Sequence, residues 1–184
     1  MIHQQASDAA WHLIDAGLLR ATAEARIGWS GRDVLDLGCG SGLMGLHLRE
    51  VHSLVGVAFD PVMLDAARPF GLYAELHQHD ARVDRQFGEF DLVLSAGVFQ
   101  YLDADEYGQA FRFAHMNLRS GGYLAFEAPA CSEALREVTF NTTSHSLSDS
   151  VVAARAEAAG LTLVEAKLIP AIGAHRFRLL RKAP

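Results

Sequence analysis

Short apolar runs separated by polar breaks recur along this chain, and the spacing between them sets the reading. Val34, Leu35 and Leu37 form a run that suits a strand buried on both faces, and Leu54-Val55-Gly56-Val57-Ala58 and Phe90-Asp91-Leu92-Val93-Leu94-Ser95 repeat the pattern. Tyr73-Ala74-Glu75-Leu76-His77 is more mixed, as expected of a strand near a sheet edge. Tyr123 to Glu127, Leu161 to Ile169 and Arg176 to Leu180 complete the strands, with Pro170 to Ala174 as the link between the last two.

Between the strands the period changes to that of a helix. Residues 7 to 27 place Trp11, Ile14, Leu18 and Leu19 at three- and four-residue intervals behind a cap at Ser7 or Asp8. Leu43 to Glu50 are good helix formers and predict a helix whose N-terminal N–H groups point at whatever sits above the preceding glycines. Asp60 and Pro61 start a helix over Val62 to Arg68, the carboxylate as cap and the proline at the first position, where no N–H is needed. Asp103 to Leu118 carries Phe111, Ala114 and Leu118 on one stripe and is ended by Ser120-Gly121-Gly122, and a helix over Asp149 to Ala159 stops at Gly160. Strands alternating with helices predict a parallel sheet covered on both faces, with ligands at the C-terminal strand ends, and the closing hairpin makes one strand antiparallel. Residues 128–147 show no period, and a polar connection of that length is expected to serve the substrate side.

Composition narrows the partners. The 184 residues, half of them apolar, suit one domain over 1–184, with residues 1–30 as an N-terminal helical cap. Sixteen basic against 22 acidic residues give a net charge of -6 with no basic run, which argues against nucleic acid. No apolar window approaches a membrane span and no signal-peptide layout is present, so a cytoplasmic location is expected. Cys39 and Cys131 offer neither a disulfide framework nor a metal spacing, and the nine histidines form no H-x-x-x-H or H-E-x-x-H set, so no metal is assigned.

The first strand runs into Asp36-Leu37-Gly38-Cys39-Gly40-Ser41-Gly42, where glycines allow positive φ and let a ligand lie against the backbone. Two registers fit. Gly40-Ser41-Gly42-Leu43-Met44-Gly45 matches the G-x-G-x-x-G dinucleotide pattern, and the acidic-x-G-x-G-x-G form starts at Asp36, directly on the apolar run. The second form resembles motif I of the class I S-adenosylmethionine (SAM) dependent methyltransferases. Phe90 to Ser95 looks like their motif IV, Leu118-Arg119-Ser120-Gly121-Gly122-Tyr123-Leu124 resembles the L-x-P-G-G-x-L element with serine for proline, and Ala158-Ala159-Gly160-Leu161 matches the A-G-F turn.

That resemblance, over roughly residues 33 to 170, implies an α/β three-layer Rossmann-like sandwich with a mostly parallel seven-stranded sheet and one antiparallel strand near the C-terminus. It implies SAM as cofactor, with S-adenosylhomocysteine (SAH) as product. Gly38, Cys39, Gly40 and Gly42 would form the cofactor loop. Asp36 would orient that loop or reach the methionine amino group, the competing reading being a bond to its own turn. Asp80 and Ala81 would lie at the adenine end, with a solvated strand-end acid as the alternative, and Ser95 falls in motif IV. The chain departs from the pattern at the end of the second strand, where Ala58 stands in place of the ribose acid; either Asp60, two residues later and also the next helix's cap, swings back to bind the ribose, or the ribose is held by water and backbone.

Ser95-Ala96-Gly97-Val98 lacks the Asn/Asp-Pro-Pro-Tyr/Phe sequence that holds exocyclic amines, which disfavours adenine, cytosine and glutamine side chains as acceptors. Phe99 and Tyr101 would wall an apolar acceptor site. His145 is the first candidate base, with Glu127 and, more remotely, His175 as alternatives. The expected reaction is methyl transfer to a small-molecule acceptor at oxygen, nitrogen or carbon. A SAM- or SAH-binding protein without methyl transfer and a nicotinamide-dependent reductase are the competing readings. So short a chain leaves little room for a recognition domain, and either a homodimer or the irregular segment would have to complete the pocket.

Overall fold

The computed structural model describes residues 14–130, 138–139, 142–143, 146–169 and 175–184. Its elements are α1 (residues 14–24), β1 (Asp33–Leu37), β2 (Ser53–Ala58), α2 (Pro61–Ala67), β3 (Glu75–Gln78), β4 (Phe90–Ser95), α3 (Ala104–Asn117), β5 (Leu118–Pro129), α4 (Asp149–Ala158), β6 (Leu161–Ile169) and β7 (His175–Lys182). The seven strands form one sheet in the order β3-β2-β1-β4-β5-β7-β6. β3, β2, β1, β4 and β5 run parallel, and β7 pairs antiparallel with both β5 and β6. This is the expected three-layer Rossmann-like sandwich, and β3 is the edge strand that its mixed polarity predicts. Separately, the backbone of Val138–Thr139 pairs antiparallel with Thr142–Thr143.

Strand alternation divides the core in two. Leu35, Val93, Phe126 and Leu180 face one side, where they pack with Phe111 and Phe113 of α3 and Val152 and Ala156 of α4. Val34, Leu92, Leu94, Ala125 and Phe177 face the other side and meet Leu18, Leu19 and Ala21 of α1. Asp36 is level with Leu94, and Leu94 with Ala125, which puts the Asp36 and Glu127 side chains on the α1 face as well.

Caps place the helices that border the site. Asp60 Oδ1 accepts the Val62 N–H at 2.9 Å and Pro61 opens α2, as the sequence predicts. Asp103 and Glu106 form a reciprocal capping box on α3.

Two expectations fail locally. Leu43 to Glu50 do not form a regular helix: only Met44–Leu46 turn, with i to i−3 bonds such as Leu46 N–H to Leu43 O at 3.1 Å. Gly45 is a poor helix former, and its backbone lies so close to the Tyr73 ring that a Cβ there would sit 3.0 Å from it. Nor do Ser120-Gly121-Gly122 terminate α3. The backbone is already extended at Leu118, and these residues lie inside β5, near the register shift between Phe90 and Leu92 of its partner β4.

Gly56, in the second strand from the edge, tests how tightly this packing is fixed. A Cβ there would lie 2.6 Å from Leu76, 2.8 Å from Tyr73 and 2.9 Å from the Cys39 sulfur. Gly56→Ala is therefore expected to lower stability by about 1–3 kcal/mol, read as a fall in the urea midpoint at unchanged slope.

Candidate functional site

A cavity of about 730 Å³ opens at the C-terminal ends of β1, β2 and β4. Its floor is the glycine loop. Gly38 and Cys39 both donate to Val57 O, at 2.7 and 3.1 Å, and this ties the loop to β2. Gly38 has φ +86, and an added Cβ would fall 2.0 Å from a Val98 methyl, so no side chain fits. Gly40 has φ +50 and a different environment: its Cβ would meet nothing nearer than Gly38 O at 3.8 Å, and the position lines the cavity. The loop is thus packed from below and open above, the form of a cradle for a ligand held by backbone.

Of the residues expected to hold a cofactor, Gly38, Cys39, Gly40, Asp60, Asp80 and Ala81 lie on the cavity wall, as does Tyr101. Gly42 faces away, with Ala67 and Tyr73 within 3.5 Å of where its Cβ would be. Ser95 is fully buried beneath the wall, and its hydroxyl has no partner among the described residues. His145 lies outside the described residues, as do Trp11 and Cys131.

Asp36 sits under the loop, 1 % exposed, and accepts a 2.7 Å bond from the Tyr73 hydroxyl. Burial pushes its pKa up to about 7, opposed by that bond. Burial and the Asp36 charge raise the Cys39 thiol as well, which favours its protonated form.

At the far end Asp80 is gripped by Arg82, whose Nη2 donates to Oδ2 at 2.7 Å and whose Nε and backbone N–H both reach Oδ1 at 2.9 Å. That guanidinium holds the carboxyl below its ordinary range. Arg82 also spans to Glu106 of α3 at 2.6 Å, which fixes this wall of the cavity. Asp60 borders the cavity while its carboxylate caps α2.

Tyr101 stands at the mouth, 39 % exposed, at the end of the Phe99–Tyr101 turn. Burial and, to a lesser degree, the Glu127 charge raise its hydroxyl. Glu127 is fully buried behind the wall: Oε1 accepts the Gly97 N–H at 2.7 Å and Oε2 is bonded to His175 Nδ1. Its position makes it the anchor of the Gly97 turn.

Sequence reasoning missed Asp15, Phe59, Met63 and Arg82 on the wall and Tyr73 beneath it. Arg82, two residues beyond Asp80, was within reach of a local reading. Asp15 and Tyr73 carry no local signal, since only the tertiary fold brings them to the glycine loop.

Residues 34–122 match a family model described as a methyltransferase domain. A TehB-like SAM-dependent methyltransferase from Corynebacterium glutamicum is 25 % identical over 100 % of this chain and 99 % of its own, with a TM-score of 0.70. The 1,6-didemethyltoxoflavin-N1-methyltransferase of Burkholderia thailandensis, solved with 1,6-didemethyltoxoflavin and SAH, is 18 % identical over 94 % of this chain and 79 % of its own, at 0.74. A SAM-dependent methyltransferase from Clostridium acetobutylicum, 14 % identical over 95 % and 92 %, gives 0.73. No curated protein matches the sequence.

Asp36 makes stability depend on pH in a definite direction. Its folded pKa of about 7 lies above the unfolded value, so its contribution is fully present below about pH 4 and is lost as pH rises through 7. Asp15, also raised to about 7, acts in the same sense, whereas His115, lowered by burial, opposes them. The unliganded protein is expected to lose stability between pH 5 and 8. Asp36→Asn is expected to remove on the order of 3 kcal/mol of that dependence, measured as the difference between the two urea-midpoint profiles.

Proposed function

We propose that the chain is a class I SAM-dependent methyltransferase, a reading supported by the methyltransferase-domain match over residues 34–122, and that it methylates a small-molecule acceptor at oxygen, nitrogen or carbon by in-line displacement. The observation that carries this reading is the continuous cavity running from the glycine loop past Asp80 to Gly97 and Tyr101. Its residues fit the cofactor. The backbone of Gly38 to Gly40 would cradle the amino-acid portion, and Asp80 with Ala81 would border the adenine. When bound, SAM supplies a methyl group on a positively charged sulfur that leaves as a neutral thioether without acid assistance.

The protein's part is mainly alignment and exclusion of water. Glu127 holds the turn at Gly97 through the backbone N–H, and this turn sets the wall against which an acceptor would rest. Tyr101, Phe59 and Met63 give the mouth an apolar rim with one hydroxyl, suited to a compact and largely apolar acceptor. The Burkholderia neighbour is by name an N1-methyltransferase of 1,6-didemethyltoxoflavin, and that name supports a small-molecule acceptor. Where the acceptor must lose a proton, His145 is the group assigned to take it, while Tyr101, whose raised hydroxyl keeps its proton, can only donate a hydrogen bond to the acceptor.

Calorimetric titration with SAM, SAH and NAD tests the site directly. The first two are expected to bind and NAD is not. Gly40→Val is expected to weaken SAM at least a hundredfold, because the isopropyl group would project into open cavity. The positive φ adds about 1–2 kcal/mol of backbone strain, so the variant stays folded by circular dichroism. Unchanged SAM affinity would remove the glycine loop from the site.

A second expectation concerns the ribose. With Asp60 committed to its cap, Asp60→Asn is expected to leave SAM affinity and stability nearly unchanged, while Asp60→Ala costs about 1 kcal/mol of stability. Ala58→Asp, which restores an acceptor at the end of β2, is expected to tighten SAM about tenfold in the same titration.

A further inference from the structure

Asp15 is the acid that the reaction as described does not use. It lies on α1 at 6 % exposure and is one of the residues that line the cavity. Two other carboxyls stand within charge range on the sheet face beneath α1, Asp36 on β1 and Glu127 on β5. Those two are provided for: Asp36 has the Tyr73 hydroxyl, and Glu127 has the Gly97 N–H and His175. Asp15 has neither a hydrogen-bond donor nor an ion-pair partner among the described residues. Cys39 from the glycine loop and Tyr101 from the turn after β4 also line this cavity; among the described residues its only lining lysine or arginine is Arg82, already bound to Asp80 and Glu106, and its only lining histidine is His79, which is bonded to Val83 O.

An unpaired carboxyl held among acids costs free energy unless it keeps its proton or meets a cation. Resting on the reading that SAM occupies this cavity, we propose that Asp15 is a charge-selecting residue, which ionises when the sulfonium form of the cofactor binds and favours it over the neutral thioether product. Its resting state fits that role, since burial first, then Asp36 and Glu127, raise its pKa to about 7. Arrival of a positive charge draws the proton off. Loss of that charge with the methyl group leaves an unpaired carboxylate beside two other acids, which takes a proton back and loosens its hold on SAH. The device needs no movement of the backbone, and it compensates in part for the ribose acid absent at Ala58.

The test counts protons. Titrations of the native protein at pH 6.5, in buffers of different ionisation enthalpy, are expected to show SAM releasing roughly half a proton or more in excess of SAH, and the excess should vanish by pH 8.5. Asp15→Asn should abolish the excess and reduce the preference for SAM over SAH by about tenfold, leaving any release from Asp36 in place. Equal proton release by SAM and SAH in the native protein overturns the proposal and needs no variant to fold. Equal weakening of both ligands by Asp15→Asn also overturns it, since that would mark a role in shape alone. If neither ligand binds the native protein, the assignment of the cavity to SAM falls with it.

Discussion

A methyl group of Val98 occupies the space where any residue other than glycine at position 38 would carry its Cβ. The contact locks the loop after β1 to the turn after β4, and these two segments are the floor and an adjoining wall of the same cavity. Other features extend that lock. Gly38 and Cys39 are tied to Val57, and Gly97, next to Val98, is tied to Glu127. The cavity therefore inherits its width from the strand ends of the sheet rather than from flexible side chains, as preorganised binding requires.

Residues neighbouring in sequence were legible and those assembled from a distance were not. Apolar runs at Val34–Leu37 and Phe90–Ser95 announce buried parallel strands because such strands need no wet face, and Asp60-Pro61 announces a helix start because capping is a one-turn event. The glycine loop could be read for the same reason. The Leu43–Glu50 segment failed because side-chain propensity was overruled by Tyr73, which arrives from almost thirty residues later and packs against Gly45. Ser120-Gly121-Gly122 misled because glycine after a helix normally signals a stop, whereas here the strand begins at once and absorbs the irregularity as a register shift. Asp15 was invisible in principle. A carboxylate on an amphipathic helix reads as solvated until the sheet beneath is known to carry two more.

The lost helix changes how the cofactor loop works. A regular helix after the glycines would have aimed several unpaired N–H groups at a ligand, and a single turn at Met44–Leu46 supplies little of that field. What remains is local backbone, with a buried carboxyl below it held by one tyrosine hydroxyl. The charged groups placed nearest the cavity are thus acids, Asp36 beneath the loop and Asp15 and Asp80 on the wall, rather than a helix terminus.

β7 is the last strand in sequence and lies between β5 and β6, bonded to both. On a ribosome, β1 to β5 can pair as they emerge, but β6 has no partner in the sheet until residues 175–182 are also free of the exit tunnel. Until then the β5 edge and the whole of β6 present unpaired backbone. The sheet is thus finished by insertion into a gap rather than by growth at an edge. Vulnerability to aggregation during synthesis falls between the emergence of β5 and that of β7, when most of the core is already built.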